Sequence, residues 1–267
     1  MIKQAIIPLA GLGTRLLPLT SVFPKELLPI NGKPGLEYIL DECIDAGIDE
    51  IIFIISNKKK LIKKYFYNDK YFNKILRKKK DKRIESEYKK ILKLKKKIKF
   101  VYQNKPDGTG DAVLKAKKYI TGSHFLMLFP DDLIMKRNCS KDMISIHNKH
   151  NCSVMASIKV KKNNVSRWGI YSVKKKLNKL NFTINDVVEK PNINKAPSTN
   201  AVIGRYILPK EIFSKLQNLN KGIGGEIHIT DAIRKLINEN HMFIGHNFAG
   251  KYLDCGTMKG YIKSSLE

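Results

Sequence analysis

The feature that most constrains this chain is an apolar run near its start that ends in a glycine-rich loop. Residues 5–9 are apolar, and Gly11 and Gly13 follow them. Glycines lack the Cβ atoms that would keep a phosphate away from the backbone. The N–H groups of such a loop can form a concave anion site. The stretch therefore predicts a buried strand that delivers an anion-binding loop.

Two cations, Arg15 and Lys25, follow the glycines. Arg15 offers a planar fork for phosphate oxygens, and Lys25 adds a mobile point charge. A P-loop would need Gly-Lys-Ser/Thr, and a dinucleotide fingerprint would need a third glycine where Leu16 stands. The pattern therefore favours a polyphosphate ligand such as a nucleoside triphosphate. The simpler alternative is a strand-to-loop turn with two solvated cations.

The order of elements predicts the fold class. Residues 36–44 carry apolar side chains at helical spacing, and residues 51–55 form a continuous apolar run typical of a buried strand. Strand, loop, helix and strand in succession begin a doubly wound sheet. We expect an α/β protein with a Rossmann-like, mixed but mostly parallel sheet and helices on both faces. Its ligands should lie at the carboxyl ends of the strands.

The charge of the chain bears on its partners. Lys and Arg total 51 against 24 Asp and Glu, which gives a net charge of +27. Such a chain attracts polyanions non-specifically. Residues 57–97 are strongly basic with interleaved tyrosines, so one alternative is an RNA-binding protein. However, Leu61, Ile62, Tyr65 and Phe66 recur at helical spacing, which favours an amphipathic helical insertion with a solvated basic face. We expect no specific nucleic-acid partner.

Length, cysteines and hydropathy limit the remaining possibilities. The 267 residues can form one α/β domain spanning 1–267. The four cysteines are scattered without a CxxC pair, which fits a reducing cytoplasm. No apolar run is long enough to span a bilayer, so no membrane partner is expected.

Two aspartates follow another apolar run. Residues 125–129 are apolar, and Pro130, Asp131 and Asp132 come next. Carboxylates at the end of a core strand are costly unless something pairs with them. Mg²⁺ is a suitable partner because it takes oxygen ligands and bridges to phosphates. The alternative is that both aspartates cap a loop.

Several motifs together resemble one family. Ala10-Gly11-Leu12-Gly13-Thr14-Arg15, followed by Pro24-Lys25-Glu26, is similar to the signature of the sugar-1-phosphate nucleotidyltransferases. Gly108-Thr109-Gly110, Glu189-Lys190-Pro191 and Tyr252-Leu253-Asp254 extend the resemblance over nearly the whole chain.

The resemblance implies a nucleotide-diphospho-sugar transferase fold and a Mg²⁺-dependent reaction. UTP and α-D-glucose 1-phosphate would give UDP-glucose and pyrophosphate, and the close alternative uses dTTP. It also implies a homo-oligomer, either a dimer or a tetramer. Residues 1–135 would form the nucleotide-binding half, with the basic insertion at about 57–97. Residues 136–267 would form the sugar-binding half.

The resemblance also assigns residues. The implied catalytic residues are Arg15, Lys25 and Lys190. The implied nucleotide-binding residues are Leu9, Ala10, Gly11, Gly13, Thr14, Gln103, Gly108 and Gly110. The implied sugar-binding residues are Gly169, Glu189, Lys190 and Asn200. The implied metal ligands are Asp131 and Asp254.

Overall fold

Strands and helices alternate along most of the chain. The computed structural model describes residues 1–267, apart from the side chain of Ile223. The strands are β1 (Gln4–Pro8), β2 (Pro29–Ile30), β3 (Lys33–Pro34), β4 (Glu50–Ile55), β5 (Ile98–Tyr102), β6 (His124–Leu128), β7 (Asp132–Met135), β8 (Ser153–Lys159), β9 (Gly169–Lys176), β10 (Asn181–Glu189), β11 (Asn200–Pro209), β12 (Phe243–Asn247) and β13 (Lys251–Asp254). The helices are α1 (Gly35–Asp45), α2 (Lys60–Tyr67), α3 (Asp69–Lys79), α4 (Lys82–Lys97), α5 (Thr109–Lys115), α6 (Cys139–His150), α7 (Ile212–Gln217), α8 (Ile229–Asn238) and α9 (Met258–Ser265).

One large sheet organises the fold. Over the described residues, its strand order is β5-β4-β1-β6-β11-β8-β12-β10-β9. The pairs β5–β4, β4–β1 and β1–β6 are parallel, as is β8–β12. Strands β11, β10 and β9 pair antiparallel with their neighbours. The sheet is therefore mixed, as predicted, but parallel pairing accounts for less of it than the prediction of a mostly parallel sheet implied.

Helices cover both faces of this sheet. Ile7 and Phe53 share one core with the buried side chains of α1 and α6. Ile6 and Ile52, the next residues back along β1 and β4, share the opposite core with α5, α7 and α8. Successive strand residues point to opposite faces, so a continuous apolar run is what a strand buried on both sides requires. The predicted doubly wound α/β class is confirmed.

The basic segment between β4 and β5 folds as α2, α3 and α4. Ile62 and Phe66 of α2 and Ile91 and Leu94 of α4 are buried against the main core, and most of the lysines lie on the outer surface. The Phe66 ring packs against Phe53 of β4, with ring centroids 5.9 Å apart. The segment is thus an amphipathic helical layer across one end of the sheet.

A small second sheet brings two acidic positions together. β7 and β13 pair antiparallel, and this pairing sets Asp132 opposite Asp254. Three residues separate the end of β6 from the start of β7. Asp131 and Asp254 therefore approach the same edge of the large sheet from distant parts of the chain. Among the helices described, none is both long enough and apolar enough to cross a bilayer.

Candidate active site

Two cavities meet at the carboxyl edge of the parallel strands. The first has a volume of about 410 Å³ and is lined by the glycine loop after β1. The second has a volume of about 340 Å³ and is lined by the acidic strand ends and by β9, β10 and β11. Arg15, Thr109, Phe129 and Asp131 line both cavities. The two spaces therefore form one cleft with a shared boundary.

The first cavity collects most of the expected nucleotide-binding residues. Its walls include Ala10, Gly11, Gly13, Thr14, Gln103 and Gly108. The Gln103 side-chain amide donates to the Gly108 carbonyl at 3.1 Å and to Asp111 Oδ2 at 2.8 Å. This side chain thereby fixes the second glycine loop to the end of β5. Thr109 of the same motif lines the cavity too, and so do Pro106 and Glu226, which were not assigned to the site from the sequence.

Leu9 and Gly110 lie behind this wall and are not among the residues that line the cavity. Leu9 is fully buried, and its N–H donates to the Ile54 carbonyl at 2.7 Å. Gly110 packs against Ile227, where an added Cβ would lie 2.7 Å from Ile227 Cγ2. The absence of a side chain at Gly110 is therefore explained by packing of α5.

Gly11 and Gly108 differ in what they require. Gly108 has a φ of +100°, and a Cβ there would lie 2.5 Å from the Ile227 carbonyl oxygen. A Cβ on Gly11 would meet nothing within 4 Å. Gly108 is thus demanded by the fold, whereas Gly11, which lines the cavity, has open space where a side chain would begin.

Lys25, Arg15 and Asp131 form a charged group where the cavities join. Lys25 Nζ lies 2.6 Å from Asp131 Oδ2, and Arg15 Nη2 lies 3.7 Å from the same oxygen. The Lys25 side chain is 15% exposed, whereas that of Arg15 is 67% exposed. Burial opposes the charged form of Lys25, but Asp131 and Glu26 outweigh it and raise the pKa of Lys25. Lys25 is therefore a largely buried cation held on Asp131, and Arg15 is an exposed one.

The two neighbouring aspartates have different surroundings. Burial alone would raise the pKa of Asp131, but Lys25 and Arg15 lower it below its ordinary value. Asp132 accepts a hydrogen bond from the Gly204 N–H at 2.9 Å and another from the Tyr252 hydroxyl. Burial, and then the charge of Asp131, raises the pKa of Asp132 to about 6. Asp132 thus ties β7 to β11 and β13, and Asp131 faces the cleft.

Asp131 and Asp254 could share a metal ion. A Cβ built on Gly256 would lie 2.7 Å from Asp131 Oδ2 and 3.3 Å from Asp254 Oδ1. The gap left by this glycine is therefore bordered by both carboxylates. Among the described side chains, no group of three His, Cys, Asp or Glu residues is arranged to hold a metal. Two carboxylates suit Mg²⁺, which takes its other ligands from water and phosphate.

The second cavity contains some of the expected sugar-binding residues. Gly169 and Glu189 line it, together with Asp131 and Asp254. Its wall also contains polar and aromatic residues that the resemblance did not assign to the site, among them Arg167, Trp168, Tyr206, His228, Thr230, Tyr252 and Thr257. Arg167 stands two residues before Gly169. Its positive charge next to that expected sugar-binding residue is the sequence signal that could have identified it.

Lys190 and Asn200 lie near the second cavity but are not among the residues that line it. Lys190 is exposed, has a φ of +44°, and donates its backbone N–H to the Trp168 carbonyl at 3.0 Å. Asn200 Oδ1 is 3.5 Å from Asn247 Nδ2, and Asn200 Nδ2 is 3.4 Å from Ser198 Oγ. The hydrogen bonds of Asn200 are thus made with neighbouring strand and loop residues.

A known protein family matches nearly the whole chain. The model of the nucleotidyl transferase family covers residues 4–267, and the chain belongs to that family. UTP–glucose-1-phosphate uridylyltransferase of Mycoplasma pneumoniae is 37% identical over 268 residues, which cover 99% of this chain and 91% of that protein.

Solved structures of UDP-glucose pyrophosphorylases are also similar to this chain. A UDP-glucose pyrophosphorylase complexed with UDP-glucose has a TM-score of 0.87 and 35% identity, covering 100% of this chain and 98% of the other. A UTP-bound UGPase from Acinetobacter baumannii has a TM-score of 0.89 and 33% identity, covering 100% and 93%. The resemblance to sugar-1-phosphate nucleotidyltransferases is confirmed, and the alternative of an RNA-binding protein is disfavoured.

Proposed function

We propose that this chain transfers a uridylyl group from UTP to α-D-glucose 1-phosphate, releasing UDP-glucose and pyrophosphate. The observation that carries the proposal is the pair of cavities that meet at Asp131, with Lys25 and Arg15 at their junction. Two anionic substrates need two adjoining spaces and fixed positive charge between them. The relatives named for this activity cover nearly the whole chain, which supports the choice of UTP and glucose 1-phosphate.

The chemistry requires positioning rather than a strong base. The phosphate of glucose 1-phosphate is already ionised at neutral pH. One of its oxygens attacks the α-phosphorus of UTP, a new P–O bond forms, and the bond to pyrophosphate breaks. Holding the two reactants in line and neutralising their charge supplies the rate acceleration. Lys25 and Arg15 would hold the triphosphate and stabilise the departing pyrophosphate.

The two cavities divide the recognition of the substrates. The glycine loop, through Gly11, Gly13 and Thr14, would contact the nucleotide. Because the Gln103 amide nitrogen is engaged by Gly108 and Asp111, its carbonyl oxygen is the atom left to accept from the N–H of a pyrimidine ring. In the other cavity we assign Glu189, Gly169 and Asn200 to the sugar and Lys190 to its phosphate. The halves 1–135 and 136–267 would thus serve the nucleotide and the sugar.

Asp131 and Asp254 would hold Mg²⁺, in keeping with their shared border on the Gly256 gap. When bound, the ion supplies charge neutralisation to phosphate oxygens. The chain's own contribution is to present two carboxylates at the junction and to keep Lys25 beside them.

The cellular setting is also part of the proposal. The four cysteines are buried and unpaired, which supports a reducing compartment, and we propose the cytoplasm. We also propose a homo-oligomer, a dimer or a tetramer, on the strength of the resemblance alone.

The test is a product assay with a panel of nucleotides. The purified protein is incubated with Mg²⁺, glucose 1-phosphate and either UTP, dTTP, ATP, GTP or CTP, and pyrophosphate and sugar nucleotide are quantified. We expect UDP-glucose and pyrophosphate in equal amounts, with UTP preferred to dTTP by at least about tenfold. A preference for dTTP would change the substrate to that of a thymidylyltransferase. RNA binding without any pyrophosphate release would overturn the proposal.

A further inference from the structure

A buried ion pair stands directly behind the catalytic lysine. Glu26 follows Lys25 in the chain, and its side chain is 0% exposed. Lys59 Nζ lies 2.6 Å from Glu26 Oε1 and 2.9 Å from Glu26 Oε2. The Lys59 side chain is itself only 8% exposed. One ammonium group therefore holds both oxygens of a carboxylate that water does not reach.

The partner of Glu26 comes from the basic insertion. Lys59 immediately precedes α2, whereas Glu26 lies in the loop between β1 and α1. Most lysines of the insertion are on the outer surface, but Lys59 points inward and is buried. Burial lowers the pKa of Lys59, and the charge of Glu26 opposes that effect. A lysine buried at this cost indicates a specific task for its charge.

The task follows from the neighbouring charges. Glu26 is the residue next to Lys25, and the two side chains are 0% and 15% exposed, so the carboxylate and the ammonium share a region with little water. Without Lys59, Glu26 would be a buried carboxylate with no ion-pair partner, next to Lys25 in the chain. Such a carboxylate carries a large desolvation penalty and would draw Lys25 away from the cleft. With both Glu26 oxygens engaged by Lys59, the Lys25 ammonium remains on Asp131, at the junction of the two cavities.

We propose that Lys59 is a positioning residue for Lys25: it neutralises Glu26 and so keeps the Lys25 ammonium directed at the phosphates. The proposal rests on the proposed function, because Lys25 has a catalytic role only if phosphates bind in the cleft. It gives the inner face of the insertion a role in the reaction, while the outer face is solvated.

The chain supplies a matched control. Lys90, also in the insertion, pairs with the buried Glu37 of α1 at 2.8 Å. Glu37 accepts a second hydrogen bond from the Tyr65 hydroxyl. Lys90 is 36% exposed and also lies 3.5 Å from Asp41, so this pair is less buried than that of Lys59. Lys90→Met nevertheless removes an ion pair between the insertion and α1, remote in sequence from Lys25. A general loosening of the insertion would affect both variants alike.

The experiment compares steady-state kinetics and melting temperatures for the wild type, Lys59→Met, Lys59→Arg and Lys90→Met. We expect Lys59→Met to lower kcat by about tenfold or more, with the KM for glucose 1-phosphate within about twofold. Lys59→Arg should recover most of the loss. Lys90→Met should keep kcat within about twofold of the wild-type value, even if its melting temperature falls as far as that of Lys59→Met.

Two double variants separate positioning from folding. In a Lys25→Ala background, adding Lys59→Met should lower kcat no further, because its target is gone. Adding Glu26→Gln to Lys59→Met should restore kcat to within a few-fold of wild type, since the unpaired carboxylate is removed. The Lys59→Met/Glu26→Gln double variant also provides a folded protein if Lys59→Met alone does not fold.

The proposal is overturned if Lys59→Met keeps wild-type kcat, if its effect is undiminished in Lys25→Ala, or if Glu26→Gln restores nothing. Failure of the proposed function would give a different result, because the wild-type protein would then form no UDP-glucose at all.

Discussion

Lys25 Nζ lies 2.6 Å from Asp131 Oδ2, although 106 positions separate the two residues in the chain. Lys25 comes from the loop after β1, and Asp131 follows β6, which pairs directly with β1. Adjacent parallel strands deliver their carboxyl ends to one edge, so the contact follows from the topology. It places a buried cation and a carboxylate at the boundary between the two cavities.

Removing the Lys25 charge should abolish most of the turnover. We expect Lys25→Ala to lower kcat by about 10²–10³-fold, because a preorganised cation at developing phosphate charge is worth several kcal/mol. The circular dichroism spectrum should be unchanged. Pyrophosphate release under saturating UTP and glucose 1-phosphate measures the effect, and turnover near that of the wild type would exclude Lys25 from the mechanism.

Neutralising the two proposed metal ligands should weaken the response to Mg²⁺. In Asp131→Asn and Asp254→Asn, each substitution removes one carboxylate bordering the Gly256 gap. The Mg²⁺ concentration for half-maximal activity should rise by about 10- to 100-fold. Asp186→Asn is the control, since Asp186 pairs with Arg234 on the surface. If the Mg²⁺ midpoint of all three variants matched the wild type, these aspartates would not be the metal ligands.

Two glycines should respond oppositely to alanine. Gly110→Ala places a Cβ 2.7 Å from Ile227 Cγ2, so we expect a loss of about 1–3 kcal/mol in unfolding free energy. Gly11→Ala meets nothing within 4 Å, so stability should change by less than about 0.5 kcal/mol. Gly11 lines the first cavity, however, so the new methyl group should raise the KM for UTP. Urea unfolding and UTP titrations measure both quantities.

The opposite pattern, with Gly110→Ala impairing only UTP binding and Gly11→Ala impairing only stability, would contradict this assignment.

The stability of the protein should fall in mild acid. His246 is buried, its Nδ1 lies 2.7 Å from Asn181 Oδ1, and its Nε2 has no hydrogen-bond partner among the described atoms. Burial lowers the pKa of His246 below 6.5, with Asp142 and Arg137 adding opposing charge effects. The unfolded chain therefore binds the proton more readily, so stability is lost as pH falls below about 6.5.

Urea unfolding at pH 7.5 and pH 5.5 checks this prediction. The wild type should lose more unfolding free energy between the two values than His246→Gln does. His124, whose pKa is also lowered by burial and by His147, contributes with the same sign, and Asp132, whose pKa is raised to about 6, contributes with the opposite sign; both remain in both proteins. An equal loss in wild type and variant would remove His246 from the explanation.

Much of the fold could be predicted because it depends on local patterns. The apolar run at residues 51–55 is the strand Glu50–Ile55, and the helical spacing at 36–44 is the helix Gly35–Asp45. The helical spacing after Asn57 likewise predicted the amphipathic helices of the insertion. Strand order at the carboxyl edge then brings the glycine loop and Asp131 into one cleft. These inferences need only periodicity and the rules of parallel sheets.

Long-range partners could not be predicted in this way. Glu42 lies on the buried side of α1 because Arg205, fully buried and 163 positions away, bonds to both of its carboxylate oxygens. Arg205 also donates to the Phe129 carbonyl at 3.1 Å, two residues before Asp131. Helical periodicity indicates which face is buried but not which cation meets it. The sequence predicted a mixed sheet, but it did not indicate that β9, β10 and β11 pair antiparallel, because an apolar run marks a strand without identifying its neighbours.

Site residues assigned by motif have different positions in the structure. Glu189 lines the second cavity, whereas the next residue, Lys190, turns out of the strand with a positive φ. A motif records neighbours along the chain, but the lining of a cavity depends on the path of the backbone. The roles of Lys190, Asn200, Leu9 and Gly110 therefore stay predictions.

The most direct test of the account is a crystal structure of the protein with UDP-glucose and Mg²⁺. We predict the uracil in the cavity of Gly11 and Gln103, the glucose beside Glu189, and the diphosphate across the junction at Asp131 and Arg15. A ligand confined to one cavity, or bound with its diphosphate away from Asp131, would contradict the claim that two substrates meet there.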